Sequence, residues 1–174
     1  MKRENASVFN LTVVVAALGY FVDIYDLLLF TIVREPSLRG IGVTDVGMMD
    51  ASTRIINWQM VGLLIGGIIW GVMGDRKGRL SVLFGSILLY SVANFLTGYV
   101  QTTDQYAMAR FIAGIGLAGE LGAGITLVSE LLPKHKRGVG TSLVAGIGLF
   151  GAVFAYFVYK TSGDWRLCYK IGGG

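Results

Sequence analysis

Four ionisable side chains sit where the sequence is otherwise apolar, and they are the residues most able to do chemistry. Asp23 and Asp26 lie in Tyr20-Phe-Val-Asp23-Ile-Tyr25-Asp26-Leu27, while Arg110 and Glu120 lie between Tyr106 and Leu132. A charge in a low-dielectric interior is expensive, so such groups mark pathways, relays or pockets rather than decoration. Three residues separate the two aspartates, which puts them on one helix face about 4.5 Å apart along the axis. Two carboxylates that close cannot both stay ionised in a dry environment unless a cation compensates one of them. The chemistry such a pair supports is proton uptake and release. Arg110 is the best compensating cation: it and Asp26 lie at similar depths in their runs. It is expected to pair with Asp26 or Asp23 in at least one conformation. The alternative is that Arg110 snorkels to the surface.

Those groups must be held by membrane helices. The 174 residues are 53% hydrophobic and only 15% charged, against about a quarter charged in soluble domains. Apolar runs at about 8–33, 55–74, 80–100, 106–132 and 139–159 each approach or exceed the ~20 residues that cross a bilayer core. A stub at 167–174 begins a sixth. The expected fold is an all-α membrane protein, a helical bundle of five complete transmembrane helices and the start of another. The first run resembles a signal peptide in its basic opening, but its hydrophobicity continues through Leu27 to Phe30 to full spanning length. Residues Arg34 to Ser52 read as the longest connection, and Pro133 to Gly138 as a short basic loop. Lys2, Arg3, Arg76, Lys77, Arg79, Lys134, Lys136 and Arg137 collect on one side, against Arg34, Arg39, Lys160 and Arg166 on the other. By the positive-inside rule the amino terminus is cytoplasmic, in a multi-pass protein of the cell membrane. The net charge of +4 therefore reports topology, not nucleic-acid binding. One cysteine, Cys168, and one histidine, His135, leave no material for a disulfide, a zinc site or a catalytic triad. No enzyme, metal or cofactor is expected.

The turn Gly71-Val-Met-Gly-Asp75-Arg76-Lys77-Gly78-Arg79 has the spacing Gly-x-x-x-Asp-Arg-x-Gly-Arg. It resembles the signature between the second and third helices of the major facilitator superfamily. Arg110-Phe-Ile-Ala-Gly114-Ile-Gly116-Leu-Ala-Gly119 resembles that superfamily's fourth-helix pattern, and Glu130-Leu-Leu-Pro133-Lys-His-Lys-Arg137-Gly138 resembles the signature closing that helix. Asp23-Ile-Tyr-Asp26 is similar to the Asp-Gly-Tyr-Asp motif of its proton-coupled organic-acid and aromatic-acid symporters, with Ile24 in place of the glycine. The resemblance implies the amino-terminal half of a 12-helix transporter, with the carboxy-terminal half absent from this chain. It implies a small-molecule substrate and protons as partners within the lipid bilayer. Asp23, Asp26, Arg110 and Glu120 become the substrate and proton-coupling residues. Gly71, Asp75, Arg76, Gly78, Arg79, Glu130 and Arg137 become a cytoplasmic gate, whose salt bridges would latch the inner mouth shut.

Two matches to Gly-x-Gly-x-x-Gly, Gly114–Gly119 and Gly146–Gly151, lie inside apolar runs without the preceding strand a dinucleotide site needs. They read as helix-packing glycines, as do Gly62, Gly66, Gly67 and Gly71. The resemblance implies a proline beside the glycines of the fifth run in the superfamily's antiporters; Ala145–Gly151 has none, which favours symport or uniport over drug export. The expected function is proton-coupled symport of a small organic metabolite by alternating access. Sugar or drug transport in the same superfamily, or a non-transporting or channel-like subunit, are the alternatives. Asp26→Asn is expected to leave a folded protein without pH-dependent uptake.

Overall fold

The computed structural model describes residues 11–131 and 134–173; within these, the side chains of 11–13, 16, 121, 123–131 and 134–137 lie outside the description. The described residues form α1 (Leu11–Gly40), α2 (Met48–Lys77), α3 (Arg79–Thr97), α4 (Thr103–Leu131), α5 (Lys134–Ser162) and α6 (Trp165–Gly173). Among them α2, α3 and α5 are long and apolar enough to cross a membrane on composition alone. Helices α1 and α4, of 30 and 29 residues, have the length as well and carry the four buried charges. Leu64, Ile68, Leu88, Phe150 and Phe157 point outward from the bundle, as a lipid-facing surface requires.

The helices outrun the apolar segments. The region 34–52 is not a long loop: α1 continues to Gly40, a single 3-10 turn covers Asp45–Gly47, and α2 begins at Met48. Pro36 lies inside α1, and Ser37 beside it donates its hydroxyl to the Arg34 carbonyl. The helix then closes in a Schellman motif. The Val43 amide bonds the Leu38 carbonyl and the Gly42 amide that of Arg39, both at 3.0 Å, with Gly42 at φ +86°. Arg39 braces this end through Glu35 and Asp45. Likewise Lys134 to Arg137 form the first turn of α5 rather than a loop. Hydropathy reports the part of a helix that must be dry; caps and end charges decide where it stops. Arg54 also belongs to the Arg39 end of the bundle, where it pairs with Asp104 at 2.8 Å, so the charge imbalance between the two ends is smaller than the loops alone suggest.

Helix α4 lies between α2 and α3, α1 packs on α5 and crosses α4, and α6 wedges against α3 and α1. Glycines set these distances. A Cβ at Gly62 would run into the Phe111 carbonyl oxygen, and one at Gly114 into that of Gln59. The glycines of both Gly-x-Gly-x-x-Gly matches that meet a neighbour do so in helix packing: Gly116 against Tyr90, Gly119 against Ser86 and Trp70, Gly151 against the Phe21 carbonyl. Trp70 strengthens the α2–α4 seam by donating its indole N–H to the Ile115 carbonyl at 2.6 Å. Toward the Arg39 end, an aromatic stack fills the core, with Tyr106 parallel to Trp165 at 6.2 Å and edge-on to Phe30 and Tyr169.

At the opposite end a single residue, Gly78, joins α2 to α3 with φ +87° and ψ 151°. That conformation is essentially restricted to glycine. Gly78→Ala is expected to lower stability by about 1–3 kcal/mol, read as a lower melting temperature of the purified protein in detergent; an unchanged melting curve would show that the turn relaxes at no cost.

Candidate functional site

Arg110 is fully buried. Its two terminal nitrogens clasp the Asp26 carboxylate, Nη1 to Oδ1 at 2.8 Å and Nη2 to Oδ2 at 2.5 Å, and Nη1 also donates to the Asn94 side-chain oxygen at 3.1 Å. The fork geometry of guanidinium and carboxylate gives two parallel charge-assisted bonds, the strongest arrangement available to the pair. Aromatic faces complete the enclosure: the guanidinium carbon is 5.6 Å from the Phe30 ring centre and 5.7 Å from that of Tyr169. Behind Tyr169 a hydroxyl chain runs to Tyr106 at 2.8 Å and on to Ser37 at 3.3 Å.

Helices α1, α3, α4 and α6 thus each lend a group to one buried ion pair. The enclosure is incomplete, because Arg110 Nε and Asn94 Nδ2 have no hydrogen-bond partner among the described residues. A desolvated pair of this kind adds little net stability, since the loss of water offsets most of the attraction. Its value lies in contrast: remove the charge on Asp26 and Arg110 has no counter-ion left.

The structure divides the two aspartates. Asp26 takes Arg110, whereas Asp23, 1% exposed, is electrostatically closest to Glu120, 4% exposed. Asp23 and Asp26 therefore do not form one pair around a common cation. Glu120 extends from α4 to α1 at Gly19, where a side chain on Gly19 would occupy the place of its carboxyl oxygen. An open cavity of about 280 Å³ adjoins it between α1, α3, α5 and α6, with Glu120, Val22, Tyr25, Tyr90 and Phe154 among its walls. Arg110 is not in that wall.

Of the residues that the sequence motifs assign to a gate, Gly71 faces open space and Gly78 makes the turn. Asp75 and Arg79 approach to 3.6 Å, and Arg76 is exposed. With 76% and 37% of their side chains exposed, Asp75 and Arg79 form a surface pair, worth about 0–1 kcal/mol. The side chains of Glu130 and Arg137 lie outside the described residues. Asn94, Phe30, Tyr106 and Tyr169 were not anticipated. For Asn94 a signal exists, as an amide in the middle of the apolar run 80–100; the aromatic residues read as ordinary core.

The sequence profile of the Major Facilitator Superfamily matches residues 6–174. The chain belongs to this family of membrane transporters. Among its relatives, the niacin transporter NiaP of Acinetobacter baylyi is 31% identical over 163 residues, covering 91% of this chain and 36% of the relative. The benzoate transport protein of the same organism is 26% identical over 170 residues, covering 93% and 34%. A partially occluded, inward-open structure of the xylose transporter XylE from E. coli superposes with a TM-score of 0.76 at 20% identity, over 97% of this chain and 47% of that one. The likeness to XylE is one of fold. The chain spans little more than a third of the length of these two curated relatives.

Proposed function

We propose that this chain is the amino-terminal half of a proton-coupled symporter for a small organic acid, working by alternating access with its amino terminus in the cytoplasm. The observation that carries the reading is the Asp26–Arg110 pair, buried where α1 crosses α4 and enclosed by groups from four helices. A bidentate ion pair in a dry core is a two-state element, since a proton on Asp26 breaks it and frees a cation. A carboxylate substrate is the natural second partner for that released cation. Niacin and benzoate, which the names of two relatives specify, are aromatic carboxylic acids. XylE is described as a proton:xylose symporter, so proton coupling occurs on this fold.

In this reading a second bundle supplies the other wall of the central cavity, and the two halves rock about a midplane site. The α2–α3 turn lies on the cytoplasmic side. Gly71, Asp75, Arg76, Gly78 and Arg79 act there with Glu130 and Arg137 as the gate that separates when the inner mouth opens. The exposed Asp75–Arg79 contact is weak by itself, which suits a latch that must release on every cycle.

The test is uptake by the full-length protein in proteoliposomes, with radiolabelled nicotinate and benzoate as probes. Saturable accumulation driven by an acid-outside gradient, and collapsed by a protonophore, is expected. Flux that neither saturates nor responds to pH would make the protein a channel-like pore, and pH-driven uptake of a sugar alone would discard the acid substrate.

A further inference from the structure

The Asp26–Arg110 pair leaves a second group of buried charges unexplained. Asp23 and Glu120 belong to different helices, both are almost completely buried, and the two carboxyl groups face each other, with no cation paired to either among the described residues. Both Asp23 oxygens and Oε2 of Glu120 lack hydrogen-bond partners among the described residues. An unpaired buried carboxylate carries a desolvation penalty of several kcal/mol, and two facing each other add repulsion. That arrangement persists only if something neutralises it.

The surroundings restrict what that is. From α3 Tyr90 faces the pair, with its hydroxyl directed to the Val22 carbonyl at 3.4 Å. Arg110, the cation buried in the same bundle, is engaged by Asp26 and Asn94. The residues that α5 and α6 contribute to the adjoining cavity, Phe154, Ile171 and Gly172, carry no charge. Two carboxyl groups are too few for a divalent ion, and among the described residues no cluster of three metal-ligating side chains exists. A proton is the smallest neutraliser, and a single one suffices for two carboxyls that can share it.

We propose that Asp23 and Glu120 form a carboxyl–carboxylate pair holding one proton between α1 and α4, a site separate from the Asp26–Arg110 ion pair. The O–H bond forms on one carboxyl, the second carboxylate accepts its hydrogen bond, and the group goes from two negative charges to one. Gly19 is the device that admits it, because the missing Cβ leaves the space that the Glu120 carboxyl occupies. Glu120 also lines the open cavity, which gives the proton a route to water. The role assigned to this proton in transport rests on the symport reading above; its presence does not.

Infrared difference spectroscopy on the full-length protein in nanodiscs separates the two. At neutral pH the wild-type protein is expected to show the C=O stretch of a protonated carboxyl, shifting down in D2O, and lost in both Asp23→Asn and Glu120→Gln. Gly19→Ala, which keeps both acids and displaces one of them, is expected to move the band and covers the case in which either neutral variant fails to fold. A band that is absent, that survives in either neutral variant, or that ignores Gly19→Ala overturns the shared proton. Loss of the band on adding sodium at constant pH also overturns it, by assigning the pair to an alkali cation. Because no substrate enters this experiment, a band with the expected behaviour alongside uptake indifferent to pH would remove the symport reading and leave the pair standing.

Discussion

Asp26→Asn is expected to abolish uptake driven by a pH gradient and to lower stability by about 3–5 kcal/mol, the usual cost of removing one partner from a buried ion pair. The sequence alone predicts the first effect and a folded protein. The structure adds the second, because Arg110 would keep its charge in a fully buried site with only neutral amide oxygens, that of the substituted side chain and that of Asn94, to accept its hydrogen bonds. Arg110→Met is expected to do comparable damage by stranding the carboxylate. The double variant Asp26→Leu/Arg110→Met behaves differently. Apolar residues of similar volume replace a buried pair at little or no cost, so the melting temperature should return toward the wild-type value while coupled uptake stays lost. A double-mutant cycle on melting in detergent measures the coupling directly, since the residues touch and their effects are not additive. Two single variants that melt like the wild type would show that water or another group reaches the site, and the switch reading would fail with it.

The same residues show how far the sequence reaches. The four charges were identifiable from their setting alone, since Asp23, Asp26, Arg110 and Glu120 interrupt runs that otherwise suit a bilayer. Their partners were only partly legible. Three residues on one helix place Asp23 and Asp26 near each other, and similar depths bring Arg110 to one of them. Which one depends on how α1 crosses α4, two helices seated on their other neighbours by glycines that meet backbone, Gly62 and Gly114 between α2 and α4 and Gly151 between α5 and α1. Arg110 and Glu120 are ten residues apart, about 15 Å along α4, so the two cannot serve one aspartate. Once Arg110 meets Asp26, Glu120 reaches α1 one turn before Asp23, at Gly19. The pairing follows from tertiary geometry that no single run encodes. Helix ends were illegible for a local reason: the Schellman closure at Gly42 lies in a polar stretch that hydropathy scores as loop.

The second large effect concerns those glycines. Gly114→Val and Gly62→Val are each expected to prevent assembly of the bundle, seen as loss of the monodisperse peak in size-exclusion chromatography. In both cases the obstructing atom is a backbone carbonyl oxygen of the opposite helix, Gln59 for Gly114 and Phe111 for Gly62. A side chain can rotate away from an added methyl group; a helix backbone cannot, so α2 and α4 would have to separate. Ordinary overpacking costs about 1–3 kcal/mol, and a clash with rigid backbone lies at or beyond the top of that range. Separation would also break the Trp70 bond to Ile115, which depends on the same spacing. Gly67→Val supplies the contrast, because a Cβ there meets nothing within 4 Å. That variant should express and migrate as the wild type does, although its glycine stands in the same helix and the same Gly-x-x-x-Gly pattern with Gly71. Equal tolerance at Gly67 and Gly114 would mean that α2 and α4 do not approach this closely. The crossing of α1 over α4, and with it both the Asp26–Arg110 and Asp23–Glu120 contacts, would then need to be redrawn.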